Sequence, residues 1–149
     1  MNESKGTSIE QLIKVMKRLR HPTEGCPWDR EQTFSSVAPY TVEEAYEVED
    51  AIARNDLDAI REELGDLLLQ IVFHARMAEE AGHFDFDAVA ESVTRKMIER
   101  HPHVFGEENQ RTQEFHSEAW EEQKTQERQA KSGDSQRILS DVAASLPSL

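Results

Sequence analysis

Apolar residues return every three to four positions along most of this chain, a spacing that predicts helices. In SIEQLIKVMKRLR, Ile9, Leu12, Ile13, Met16 and Leu19 share a face, and Thr7 to Glu10 has the spacing of a capping box, so a first helix starts near Ser8. The following HPTEGCPWD holds two prolines and a glycine and reads as an irregular loop that carries Trp28. A second helix is expected from about Ser35 to Ala53, kinked near Pro39, with Val42, Ala45, Tyr46 and Ile52 facing inward. The link NDLD offers Asn55 or Asp56 as a cap. The third helix, about Leu57 to Ala81, carries Ile60, Leu64, Leu67, Leu68, Ile71, Val72 and Ala75 on a broad apolar face closed by Gly82. A fourth runs from about Asp87 to Arg100 and stops at HPHVFG, because Pro102 disfavours helix at the residue before it. A fifth, highly charged helix spans about Gln113 to Ala130. No segment alternates with period two, so the expected fold is an all-α helical bundle. It would be one domain over residues 1–131, followed by a linker-like tail over residues 132–149.

Composition narrows the possible partners. With 30 acidic against 17 basic residues the formal net charge is -13, which argues against a nucleic-acid polymer or an acidic membrane surface. No apolar run approaches the ~20 residues of a membrane span, and MNESKGTS has no signal-peptide core. The lone Cys26 rules out an internal disulfide framework, and the expected location is the cytoplasm. The apolar fraction, 37%, is low for a self-contained monomer whose third helix is apolar over most of its circumference, so a homodimer or higher homo-oligomer is expected. Helices two and three would be buried in that interface.

Carboxylates are concentrated where a core-forming helix would least need them. Residues three or four apart on a helix share a face, so Glu44 and Glu47 project together, as do Glu63 and Asp66 on the next helix. The short NDLD turn makes the two helices antiparallel neighbours and brings the pairs opposite one another. Like charges there repel unless a hard cation such as Mg²⁺ is held between them. Such acidic faces are also commonly just solvated, with Glu43, Glu49 and Glu62 pairing with Arg54 and Arg61. Asp66 directly before LLLQIV, and Gly65 beside it, favour a site over a plain surface, since both weaken the most apolar helix of the chain. Gly65 further suggests close approach by another group. On the residues alone both readings stand.

The blocks CPWDREQTF, APYTVEEAYEVEDAI, REELGDLLLQIVFHARMAEE, FDFDAVAESVTRKMIERHPHVFG and AWEEQK resemble the MazG family of nucleoside triphosphate pyrophosphohydrolases over about residues 8 to 130. The family signature, EExxE followed by ExxD, is here Glu43, Glu44, Glu47, then Glu63 and Asp66. The resemblance implies an all-α fold and Mg²⁺ dependence, with Mn²⁺ as a substitute. It also implies a homo-oligomer and hydrolysis of NTP or dNTP to the monophosphate and pyrophosphate. It makes Glu44, Glu47, Glu63 and Asp66 metal ligands, adds Glu43 to the catalytic set, and marks Tyr40, Arg61, Glu62, Lys96, Arg100, Trp120 and Lys124 as nucleotide contacts. Many members repeat the domain, so the alternative is a weak or inactive first domain that supports dimerisation of a longer protein.

Other candidates carry less. Trp28 and Trp120 suit base stacking or packing equally. His101 and His103 flank Pro102 on what reads as extended backbone without further ligands, which argues against a metal pair. His74, one turn beyond Gln70, reads as a packed histidine rather than a general base, and Cys26 lacks a base partner for nucleophilic catalysis.

Overall fold

The computed structural model describes residues 6–107 and 121–131. The chain divides into two units, Met1–Ser92 and Val93–Leu149. In the first, α1 (Ser8–Leu19) opens with the expected capping box: Thr7 Oγ1 accepts from the Glu10 amide, and Glu10 Oε2 accepts from the Thr7 amide. The loop expected over HPTEGCPWD is partly helical. Pro27–Glu31 form a short helix, α2, because Pro27 at the first helical position brings a preset φ and lacks only an N–H that would be unpaired anyway. A single turn has no hydrophobic period, so nothing in the apolar pattern signals it. Before it, Gly25 sits where a Cβ would lie 2.2 Å from the Leu19 carbonyl oxygen and 2.6 Å from that of His21.

The α3 helix spans Phe34–Ala53 and runs through Pro39 without interruption. Pro39 removes only the hydrogen bond to the Ser35 carbonyl, and Ser35 is exposed, so the loss falls on the solvent side of the helix. Thr33 and Ser36 cap its start reciprocally. Ala53 ends the helix, Asn55 takes a left-handed φ of 54°, and Asp56 caps α4 (Leu57–Glu80) by accepting from the Ala59 amide. Asn tolerates that conformation better than a β-branched residue would, which lets so short a turn reverse the chain. The α3 and α4 helices pack against one another, and α1 packs on α4. Met16, Val37, Val72, Phe73 and Met77 form the core, flanked by Ile9, Leu12, Ile13, Leu68, Leu69 and Phe86.

The rotation of α3 about its axis differs from the expected one. Its inward stripe is Val37, Thr41, Glu44, Val48 and Ala51, while Val42 is half-buried and Ala45, Tyr46 and Ile52 are exposed. On α4, Val72 and Ala75 are buried as expected, but Leu64 and Ile71 face outward. The apolar residues of this pair cover more of each helix than the neighbouring helix occupies, so its register selects one strip and leaves the rest in solvent.

Arg20 fixes α2. Its Nε donates to both Glu80 carboxylate oxygens at 2.9 and 3.0 Å, one terminal nitrogen donates to the Asp29 and Gln32 carbonyls at 2.6 and 3.1 Å, and the guanidinium lies 5.6 Å from the Phe73 ring centre. Phe73 in turn meets Trp28 edge-on at 6.5 Å.

The α5 helix, Phe86–Arg100, ends where Pro102 was expected to stop it. HPHVFG is not extended, however: Pro102–Phe105 form a one-turn helix, α6, with His101 as its N-cap. The His101 and His103 rings lie 5.4 Å apart. The correction has the same cause as at Pro27, since proline is disfavoured inside a helix but suited to its first position. In the second unit residues 121–131 are helical, consistent with the later part of the expected fifth helix. Its start from Gln113 and the expected tail over residues 132–149 lie outside the described residues.

Candidate functional site

The inward stripe of α3 holds Glu44 half-buried, between Thr41 and Val48, rather than on the exposed face where most of the helix's carboxylates lie. Opposite, Glu63 and Asp66 occupy adjacent turns of α4. Oxygens of Glu44, Glu63 and Asp66 lie within 4.8 Å of one another. Glu44 and Glu63 are half-buried and Asp66 is exposed, so the cluster opens to solvent at one edge.

Its electrostatics are those of a site short of positive charge. Burial raises the Glu44 pKa above the ordinary carboxylate value, and the charges of Asp66, Glu63, Glu43 and Glu47 raise it further. Burial likewise raises that of Glu63, reinforced by Asp66, Glu47 and Glu62 and opposed by Arg54. Arg54 is itself engaged by Asp50 at 2.9 Å and Asp56 at 3.5 Å. A group of hard oxygen donors whose charged form is destabilised by its neighbours fits a divalent cation, which would relieve that repulsion.

The expected ligands are therefore arranged unequally. Glu44, Glu63 and Asp66 converge, whereas Glu47 stands outside that set of three, exposed and near enough to act on both Glu44 and Glu63. Glu43 and Glu62 flank the cluster on the exposed side. Tyr40, one turn before Glu44, is exposed and meets Trp28 edge-on at 5.8 Å. Arg61 is exposed and pairs with Asp58 at 4.0 Å. No group of this chain approaches within 4 Å of a Cβ built at Gly65, so the close approach expected there has no counterpart among the described residues.

The other basic candidates, Lys96, Arg100 and Lys124, belong to the second unit. Lys96 and Arg100 are half-buried one turn apart on α5, and Arg100 Nε donates to Glu127 Oε2 at 2.9 Å, with a further contact from its terminal nitrogen. That hydrogen bond holds Glu127 below the usual carboxylate range, helped by the charges of Arg100, Lys96 and Lys131. Lys124 pairs with Glu121 at 3.2 Å. Trp120 lies outside the described residues.

Sequence reasoning missed the polar rung beside the cluster. Thr41 Oγ1 and His74 Nε2 are 3.1 Å apart across the α3–α4 interface, and the His74 ring stacks on Phe34 at 5.7 Å. Burial lowers the His74 pKa, in keeping with the packed histidine that the sequence suggests. Thr41 itself gave no signal, since threonine on a helix is not distinctive.

An all-α fold whose central hairpin carries a convergent set of carboxylates defines the class. Within it, the profile of the MazG nucleotide pyrophosphohydrolase domain matches residues 32–105, a span that holds both carboxylate groups. The chain is 50% identical over 141 residues to the nucleoside triphosphate pyrophosphohydrolase of Escherichia coli K12, covering 95% of this chain and 53% of that protein. It is 46% identical over 123 residues to the nucleoside triphosphate pyrophosphohydrolase/pyrophosphatase MazG of Thermotoga maritima, covering 83% of this chain and 46% of that one. The crystal structure of a mazG-related protein from Thermotoga maritima superposes with a TM-score of 0.58 at 26% identity, covering 76% of this chain and 92% of that one. The chain belongs to the MazG family. It spans about half the length of the curated relatives it matches.

Proposed function

We propose that this chain hydrolyses nucleoside triphosphates to the monophosphate and pyrophosphate, using Mg²⁺, or Mn²⁺ in its place, held by Glu44, Glu63 and Asp66 with Glu47 completing the set. The observation that carries the proposal is the convergence of three carboxylates within 4.8 Å from two helices. The names of the relatives point the same way. A bound cation supplies charge neutralisation for the phosphates and activation of water. The chain's own part is to hold the ligands on a stiff hairpin. Glu44 and Glu63 are half-buried, which restricts their carboxylates, and on this reading a carboxylate of the EEAYE group, Glu43 to Glu47, would take a proton from an attacking water. Lys96, Arg100, Lys124 and Trp120 are proposed to contact the nucleotide, as are Tyr40, Arg61 and Glu62. Arg100 would then exchange its Glu127 partner for phosphate.

The assay is pyrophosphate release by the purified chain across all NTPs and dNTPs, with Mg²⁺ and then EDTA. No release from any substrate sinks the proposal. That outcome favours the second reading, a non-catalytic domain supporting a longer protein, which draws on the chain's span of about half its relatives' length.

The domain is proposed to occupy residues 1–131 and to work as a homodimer or higher assembly. Tyr46, Ile52, Leu57, Leu64 and Ile71 are exposed apolar side chains on α3 and α4 that a second copy would cover. Sedimentation equilibrium giving an active species at 17.1 kDa would exclude this. No helix among the described residues is long and apolar enough to cross a membrane, in keeping with a proposed cytoplasmic setting.

A further inference from the structure

Asp66, Gln70 and His74 follow one another at four-residue intervals on α4, so they share a face and are spaced roughly 6 Å apart along the helix. Two of them belong to rungs that cross to α3. Asp66 joins Glu44 and Glu63 in the carboxylate cluster, and His74 joins Thr41 at 3.1 Å. Gln70 stands between the rungs. Its Oε1 is buried and meets no hydrogen-bond donor among the described residues.

A buried acceptor without a donor is costly enough that it calls for a specific partner. Neither rung offers one. The carboxylates, when ionised, only accept. The proton between Thr41 Oγ1 and His74 Nε2 is used within that rung in either tautomer, and the Thr41 hydroxyl is also 3.5 Å from the Val37 carbonyl. The missing donor therefore has to come from outside the side chains of the hairpin. Water is the donor that an acidic, solvent-open cluster one turn away supplies.

We propose that Gln70 is a positioning residue of the cation site: its Oε1 accepts a hydrogen bond from a water in the hydration shell of the cation held by Glu44, Glu63 and Asp66. The inference rests on the cation-binding reading above and adds a residue outside the family signature. A neutral acceptor suits the place. It orients water without adding a further negative charge to a cluster already crowded with carboxylates, and neutral His74 beyond it leaves the cation no competing positive charge.

Mn²⁺ affinity, measured by electron paramagnetic resonance on the whole chain without nucleotide, tests this apart from catalysis. Gln70→Met keeps the length and helix propensity but cannot accept strongly, and should bind Mn²⁺ about tenfold more weakly, as loss of an outer-shell partner does. Gln70→Glu restores an acceptor oxygen at the same reach and should bind at least as tightly as the unsubstituted chain. Circular dichroism confirms that each variant is folded. Unchanged affinity in Gln70→Met overturns the proposal, and so does weakened affinity in a folded Gln70→Glu, the deciding variant if Gln70→Met does not fold. Absence of Mn²⁺ binding by the unsubstituted chain overturns the cation reading itself, and this inference with it.

Discussion

Replacing Arg20 by methionine should be the most damaging single polar change in the first unit. Methionine keeps much of the aliphatic packing and deletes only the guanidinium. What is lost is the paired contact with Glu80, the two donations to the Asp29 and Gln32 carbonyls, and the placement over Phe73. The Arg20 side chain is only 11% exposed, so its charge is largely removed from water, and breaking such a pair costs about 3–5 kcal/mol. Two features reduce that figure. Glu80 retains 28% exposure, and Arg76 Nε, buried without a hydrogen bond among the described residues, already pairs with it at 3.8 Å. We therefore expect a loss of about 2–4 kcal/mol in urea unfolding. In calorimetry a central value of ~3 kcal/mol corresponds to roughly 6–12 °C in Tm for a chain of this size. A loss below about 1 kcal/mol, the range of exposed ion pairs, would refute the claim that Arg20 anchors α2 on α4. Coupling to Glu80→Gln in a double-mutant cycle would show how far Arg76 substitutes.

Other expectations follow from the site and its surroundings. Glu47→Gln and Asp66→Asn should each lower turnover by more than about 100-fold with helix content unchanged, and their effects should fall short of additive because both act through one cluster; a fully active Asp66→Asn chain would remove that residue from the site. Gly25→Ala forces a Cβ against three backbone atoms within 2.8 Å, none able to move as a side chain would, and should cost about 1–3 kcal/mol in urea unfolding. Burial lowers the native pKa of His74 below the ordinary imidazole value of 6.5, so between the two values the unfolded chain binds more protons. The His74 contribution is thus complete above pH 6.5 and lost as pH falls toward the native pKa; unfolding of the natural chain and His74→Gln at pH 7.5 and 5.5 should show a pH-dependent loss only where the imidazole is present.

Periodicity and capping located the long helices closely. The start of α1 at Ser8 and the end of α4 at Glu80 follow from local chemistry, Thr7 with Glu10 at one and Gly82 with its φ of 78° beyond the other. The carboxylate pairs were legible for the same reason, because a three-residue interval on a helix fixes a shared face before any packing occurs. One-turn helices such as α2 and α6 were not, since a single turn contains no repeat to detect. Which face of α3 turns inward was also beyond the sequence: its apolar residues encircle too much of the helix to choose, and contact with α4 decides that Glu44 goes in while Tyr46 and Ile52 stay out. That choice selects Glu44, Glu63 and Asp66 as the convergent set, leaves Glu47 at its margin, and aligns Gln70 between two polar rungs. Arg20 meets Glu80 across 60 positions of chain, and no local pattern encodes a contact whose partners meet only once α1 has packed on α4.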